Sequence, residues 1–298
     1  MSNLIGLYTP DNTGFPNYAL MKLYRHHETR GDITILFDDP SDDTFDIVYC
    51  SSVFSFTEKP QFPSYRITGG SGYSLQSQLP CEIEGLEPDY SLYPTMTHAL
   101  GFLTRGCIRN CDFCIVREKE GGIRPYRDVD TVSQGRRDIV LCDNNVLASA
   151  HGLTQMEVIA DRKFKMDFNQ GIDARLITDE IARLMSRICW LHPVRLSCDS
   201  SDMIDVVVRA VELLRWYNVT PRAYCVYMLI RDVDSALERL KVFKGMNTSP
   251  FVQPYIDKAG TPPSRELRRL ARWVNAGGGK AFKTCKWEDY CEERGERI

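Results

Sequence analysis

Apolar residues along this chain gather into short runs separated by stretches with helical spacing. From about residue 98 the runs "HALGFLT", "DIVLC", "KMDFNQ", "VRLSC", "RAYCVYMLI" and "PFVQPYI" read as strands. With Val140, Phe168, Leu196, Tyr224 and Val252 as centres of the last five, each lies 28 residues beyond the one before. A strand–helix unit with short loops takes ~30 residues. The first run precedes Val140 by more than one beat, and a cysteine-bearing loop takes up the excess. Between the runs, Ile181, Leu184, Met185 and Ile188 fall at helical spacing behind Thr178 as cap, with Asp179 and Glu180 in the first turn. Ile204, Val207, Val208, Val211 and Leu214 repeat the pattern, as do Ala236, Leu237, Leu240 and Phe243. Thr154 and Glu157 form a capping-box pattern for the helix after the second run. Six strands joined by right-handed helical crossovers form parallel sheet. Six units are too few to close an eight-stranded barrel. Residues 96–260 are therefore expected to form an open, partial (β/α)6 TIM-like barrel with functional loops at the carboxyl ends of its strands. A flat doubly wound sheet is the alternative.

Residues 1–95 read as a small Rossmann-like α/β domain. "LIGLYTP", "ITILFDD" and "FDIVYCSSVFSF" are its expected strands, and "NYALMKLYRHHETRG" is a helix ending at Gly31. "ITGGSGYSL" lacks the spacing of a dinucleotide fingerprint and is read as a tight loop. "EGLEPDYSLYPT" is read as a linker. Residues 261–298 form a tail that opens with an amphipathic helix. Leu267, Leu270, Ala271 and Val274 lie on one face, with Arg265, Arg268, Arg269 and Arg272 largely on the other.

Composition changes this picture little. The 298 residues are 43% hydrophobic and 26% charged, ordinary for a globular chain, and the formal charge of −3 gives no global attraction to nucleic acid or anionic lipid. The arginine-faced helix is read as a solvated surface, with a nucleic-acid contact as the other reading. No apolar run approaches the ~18 residues of a membrane span, so a cytoplasmic protein is expected. The 11 cysteines are an odd number scattered through strands and helices, which points to thiols or metal ligands in place of a disulfide framework.

The chemistry is concentrated in "GFLTRGCIRNCDFCIV", residues 101–116, where Cys107, Cys111 and Cys114 follow the first barrel strand. Structural zinc takes four Cys or His ligands, and nothing near the loop supplies a fourth. Ferredoxin-type clusters also use four thiolates. A cubane 4Fe-4S cluster held by three thiolates, with one iron free for a small molecule, is the remaining good match.

The stretch "CIRNCDFC", with Phe113 as the aromatic before the last cysteine, resembles the signature of the radical S-adenosylmethionine (radical SAM) superfamily. The likeness extends over roughly residues 98–258. It implies that SAM chelates the free iron, that an electron from the cluster breaks a C–S bond, and that the resulting 5′-deoxyadenosyl radical takes a hydrogen atom from substrate. It also implies an external one-electron donor of flavodoxin or ferredoxin type. Arg105, Arg109, Arg117 and Lys119 flank the cysteines and would offset cluster charge. The family's Gly-Gly-Glu-like motif after the second strand is replaced here by Asp143, Asn144 and Asn145, whose oxygens can accept from the SAM ammonium. Asn169 and Asp173 after the third strand could face substrate. Ser197 and Asp199 at the fourth are the expected contacts to SAM ribose or carboxylate, with Asp199 or Ser200 as a simple helix cap in the plainer reading. Tyr224, Tyr227 and Tyr255 are read first as packing residues.

Some members of the superfamily carry an N-terminal cobalamin-binding domain, and residues 1 to about 95 resemble a shortened one. Its histidine loop is missing, and His26 and His27 lie inside a helix. No cobalamin is therefore expected. Cys285 and Cys291 are too few for a second cluster. The implied function is SAM cleavage acting on an unidentified substrate. The alternatives are a non-catalytic iron–sulfur and SAM-binding sensor, or a radical methyl- or methylthio-transferase acting on nucleic acid.

Overall fold

The computed structural model describes residues 2–63, 66–219, 224–257 and 260–292 of the chain. It is a mixed α/β protein in which every sheet of more than two strands is parallel.

The N-terminal unit holds strands β1 (Leu4–Tyr8), β2 (Ile33–Leu36), β3 (Ile47–Ser51) and β4 (Ile67–Gly69) in the order β2-β1-β3-β4. The loop expected at "ITGGSGYSL" thus begins as a strand, because Ile67–Gly69 extends the sheet beside β3 before the chain turns at Gly70. Helix α1 (Tyr18–Glu28) is capped by Asn17, whose side chain accepts from Leu20 N, and Gly31 takes the left-handed conformation just past its end. Leu20, Met21 and Leu23 of α1 bury Ile5 and Leu7 of β1 on one face of the sheet. The His27 ring is held by Asp32 (2.7 Å) and the Tyr49 hydroxyl (3.1 Å).

The segment read as a linker is packed structure. It follows directly on α2 (Cys81–Glu84) and carries a 3-10 turn at Tyr90–Leu92 whose Tyr90 and Leu92 are buried. Lys22 of α1, 1% exposed, donates to Glu84 O (2.6 Å) and to the hydroxyl of Tyr126 (2.8 Å), joining the first unit to the second. Burial holds the Lys22 ammonium below its usual range.

The second unit opens with β5 (Ala99–Gly101), a short antiparallel hairpin of β6 (Thr104–Arg105) and β7 (Arg124–Pro125), and α3 (Val116–Glu120) between them. There follow α4 (Val129–Ser133), β8 (Asp138–Leu141), α5 (Ala150–Asp161), β9 (Lys165–Phe168), α6 (Asp179–Ser186), β10 (Cys189–Trp190) and β11 (Val194–Ser197). The chain continues with α7 (Ile204–Trp216), β12 (Tyr224–Ile230), α8 (Val233–Gly245) and β13 (Ser249–Pro254). All five strand centres lie inside strands.

The helices follow the expected stripes, with one correction. Ser149, accepting from Gly152 N, caps α5, whereas Thr154 lies inside the helix and donates to Ala150 O. The apolar run starts four residues ahead of the Thr-x-x-Glu pattern, and Ser149 is the first residue before it with an extended backbone and a capping oxygen. Thr178 caps α6 as expected.

The strands fall into two parallel sheets, β10-β9-β8-β5 and β11-β12-β13. The expected fourth strand is split. β10 pairs with the start of β9, the strand is interrupted at Leu191–Pro193, and β11, which pairs with β12, is bridged on the β9 side through Leu196 and Ile172, with Ile172 N donating to Arg195 O (2.8 Å). Gly171, at φ +89°, makes the turn that brings Ile172 there.

The tail packs on β13 as three helices, α9 (Arg265–Asn275), α10 (Lys280–Thr284) and α11 (Trp287–Glu292). Leu267, Leu270 and Val274 are buried, and Trp273 meets Phe282 edge-on and Trp287 at a tilt. Asn275 completes the edge: its side chain accepts from Val252 N (2.9 Å) and donates to Val252 O (2.7 Å), as a neighbouring strand would. Among the described residues no helix is long and apolar enough to cross a membrane.

Candidate functional site

The cysteine loop is closed at its base by a close backbone approach at Gly106. Gly106 sits at φ +82°, and a Cβ there would lie 2.2 Å from Gly122 O, so only glycine lets the two arms of the hairpin approach. Cys107 N donates to Gly121 O (3.3 Å), and the Arg117 guanidinium donates to Cys107 O (3.1 Å). Cys114 N donates to Cys111 O (3.1 Å), so these two thiols share one turn leading into α3. Glu120 is the hub beneath them, pairing with Arg105 (2.7 Å) and accepting from Gly106 N (2.8 Å) and from the Asn144 amide (3.1 Å).

Asp143, at the end of β8, is fastened to the opposite arm. It accepts from Leu103 N (3.0 Å), Thr104 N (2.6 Å) and the Thr104 hydroxyl (2.6 Å). Burial pushes its carboxyl up to about 6 against the pull of those hydrogen bonds. Of the trio considered for an ammonium, Asp143 therefore has both oxygens engaged in holding the loop, and Asn144 is turned to Glu120.

Asn145 differs from its neighbours. It is 3% exposed, and its amide nitrogen donates to Cys107 Sγ (3.5 Å) and to Asp173 (3.3 Å), while its buried Oδ1 has no partner. Arg109 N also donates to Cys107 Sγ (3.3 Å). Asp173 caps the turn at Ala174–Leu176 and binds Arg109 (2.9 Å) and Arg175 (2.7 Å). Burial raises its carboxyl, but the hydrogen bonds from Arg175 and Arg109 prevail and hold it below the usual range.

The three cysteines lie within one electrostatic neighbourhood. Burial pushes the Cys111 and Cys114 thiols up, the charge of the other cysteines adds to this, and Arg175 opposes it at Cys111. Asp199 acts on both thiols. It is not a helix cap: its carboxylate accepts from Leu229 N (2.9 Å) across the ends of β11 and β12, and burial raises it. Ser200 makes no capping bond. Phe113 is half-buried, and Arg231 lies over its ring and pairs with Asp112 (2.8 Å), tying the end of β12 to the loop. Among the described residues no three histidine, cysteine or carboxylate side chains converge on one ion position.

Beyond the loop, the sheet β11-β12-β13 leaves one face partly open. Tyr224, Val226, Met228 and Ile230 of β12 are buried against the helices, whereas Cys225, Tyr227 and Leu229 on the other face are half-open. Register places Ser197 beside Tyr227 and Tyr227 beside Phe251, which is 45% exposed. Asn169 joins this surface, its carbonyl accepting from the Tyr227 hydroxyl (3.4 Å), and an ion pair of Arg195 with Asp167 forms the floor.

Two structural contributors went unnoticed in the sequence. Glu120 carried no signal, because its partners come from three separate segments. Arg239 carried one: it falls on the apolar stripe of α8, is 1% exposed, and donates to Cys198 O (2.7 Å), Leu229 O (3.1 Å) and Ser235 O (3.1 Å) beside Asp199. No protein-family model matches the chain, and no curated protein is detectably similar to it.

Proposed function

We propose that the chain is a radical SAM enzyme in which Cys107, Cys111 and Cys114 hold a 4Fe-4S cluster and the half-open strand face receives the substrate. The succession β5, β8, β9, β11, β12 and β13, parallel within each of its two sheets, is compatible with the six-strand partial barrel this reading needs. One observation carries it furthest. A buried amide oxygen without a partner, Asn145 Oδ1, belongs to the side chain that donates to Cys107 Sγ. A buried acceptor is costly unless paired, and an ammonium beside the cysteines, such as that of SAM, would pair it.

The donor set also fits the cluster. The charges of Cys107 and Cys114 act on Cys111, and that of Cys107 on Cys114, so the three thiols lie near one another. Arg175 opposes the burial that raises the Cys111 thiol, and the amide donors at Cys107 Sγ would suit a cluster ligand. When bound, the cluster and SAM supply an electron transfer that breaks a C–S bond and leaves a carbon radical. The chain's own part is positional. Asn145 would hold the amino end of SAM, and Asp199 and Ser197 are the candidates to hold its ribose. Arg175 offsets negative charge, and Tyr227, Phe251 and Asn169 line the side where substrate enters.

The test is anaerobic reconstitution followed by iron and sulfide analysis and an assay for 5′-deoxyadenosine with dithionite. About four irons per chain are expected, lost in Cys111→Ala, with 5′-deoxyadenosine formed by the wild type and sharply reduced in Asn145→Ala at unchanged iron content. A chain that takes up no iron and sulfide refutes the proposal. A full cluster without 5′-deoxyadenosine would assign the non-catalytic, sensing role instead.

A further inference from the structure

The outer edge of the N-terminal sheet has features of an unfinished interface. β2 is the end strand, paired only with β1. Ile33 and Phe37 donate to Asn3 O and Leu7 O. The alternation of a parallel ladder then turns the N–H and C=O of Thr34 and Leu36 outward. Natural edge strands are blunted by lysine, proline or a bulge. "ITIL" has none of these, and its Ile33, Ile35 and Leu36 are 57%, 44% and 37% exposed.

Ile33, Ile35 and Phe37 share one face of the sheet, the face opposite α1. There the covering is a layer of rings, Phe37 against Tyr8 (5.3 Å) and Phe45 (4.6 Å), seated where Gly6 leaves room. No helix among the described residues follows β2 before β3.

We infer that β2 pairs antiparallel with β2 of a second copy of this chain, about a two-fold axis through Ile35. The strand is self-complementary in this register. Thr34 of each copy faces Leu36 of the other, so the four outward N–H groups and four outward carbonyls satisfy one another in the narrow hydrogen-bonded pairs of an antiparallel ladder. Ile35 meets its own copy, and Ile33 meets Phe37 of the second copy, giving a continuous apolar row on one face.

Charge agrees with the same register. β2 is preceded by exposed Arg30 and followed by exposed Asp38 and Asp39, so two-fold pairing sets the arginine of each copy near the aspartates of the other. A parallel pairing would bring Asp38 and Asp39 of the two copies together. Asp32, which faces Asp38 of the second copy, is already turned inward to His27 and Asn3. The result is one eight-stranded sheet from two four-stranded ones. A strand of this length buries far less than a standard interface of about 1,600 Å², so the association is concentration-dependent.

Light scattering across a concentration series tests this. The weight-average mass of the full chain is expected to rise from 34.1 kDa toward twice that value. In the concentrated sample, amide exchange at Thr34 and Leu36 should slow while that at Ile33, already bonded within the chain, stays unchanged. Thr34→Pro removes an N–H that the chain's own ladder does not use, in a position where an edge strand tolerates proline. Ile35→Lys places a charge on the axis. Each is expected to weaken association about tenfold or more with an unchanged circular dichroism spectrum. Either variant alone suffices if the other fails to fold. A wild type that stays at 34.1 kDa throughout, or a dimer that survives both substitutions, overturns the inference.

Discussion

Replacing Asp143 with asparagine tests whether this residue is the fastener of the cysteine loop. In the native chain its two oxygens take three donors, Thr104 N, the Thr104 hydroxyl and Leu103 N. An asparagine amide has one oxygen. Turned toward Thr104, it keeps two of those bonds in weaker, uncharged form and sets its NH2 group against Leu103 N. Leu103 is fully buried, so that N–H is left without an acceptor, at a cost of about 1–3 kcal/mol. Removing a buried charge offsets part of this, and a net loss of about 1–2 kcal/mol is expected at pH 7. The pH dependence gives a second signature. Burial holds the folded carboxyl near 6, above its unfolded value, so the native state binds the proton more tightly. The group's contribution to stability is therefore fully present below about 4 and falls as pH rises to about 6. The asparagine variant does not titrate, so its deficit should be larger at pH 4 than at pH 7. Urea unfolding of both proteins at the two pH values measures this. A variant within about 0.5 kcal/mol of wild type at both would refute the fastening role.

Two further substitutions probe other joints. Gly106→Ala places a side chain on a left-handed backbone and 2.2 Å from Gly122 O, and about 2–4 kcal/mol of stability should be lost in urea unfolding; a loss below about 0.5 kcal/mol would mean that the hairpin base closes differently. Asn275→Ala removes both bonds to Val252, whose amide should then exchange faster than that of Met228 on the adjacent strand, with about 1–3 kcal/mol lost globally; unchanged exchange at Val252 would show that water or the neighbouring helix replaces the side chain.

The strand–helix beat was legible because burial on the helix side imposes a period on each segment. Ile181, Leu184 and Met185, or Ala236 and Leu240, announce their helices through that period alone. Boundaries decided by side-chain hydrogen bonds were harder to read. Thr154 and Ser149 are both good caps in sequence, and only the start of the buried stripe separates them. The β6–β7 hairpin was invisible, since four residues carry no period. At the site, the cysteines could be read from their spacing. The distinction among Asp143, Asn144 and Asn145 could not, because it depends on which of three adjacent polar groups meets Thr104, Glu120 or Cys107.

The split fourth strand gives the second unit a line of weakness. Neighbours elsewhere share whole ladders, but the two sheets are joined by the Ile172–Leu196 bridge, the Arg195–Asp167 pair and the bond from the Tyr227 hydroxyl to Asn169 O. That line carries little backbone bonding, so local opening of the unit is expected to begin there. Amide exchange at Ile172 that outpaces Met166 and Val226, each inside a sheet, is the expected mark of this opening.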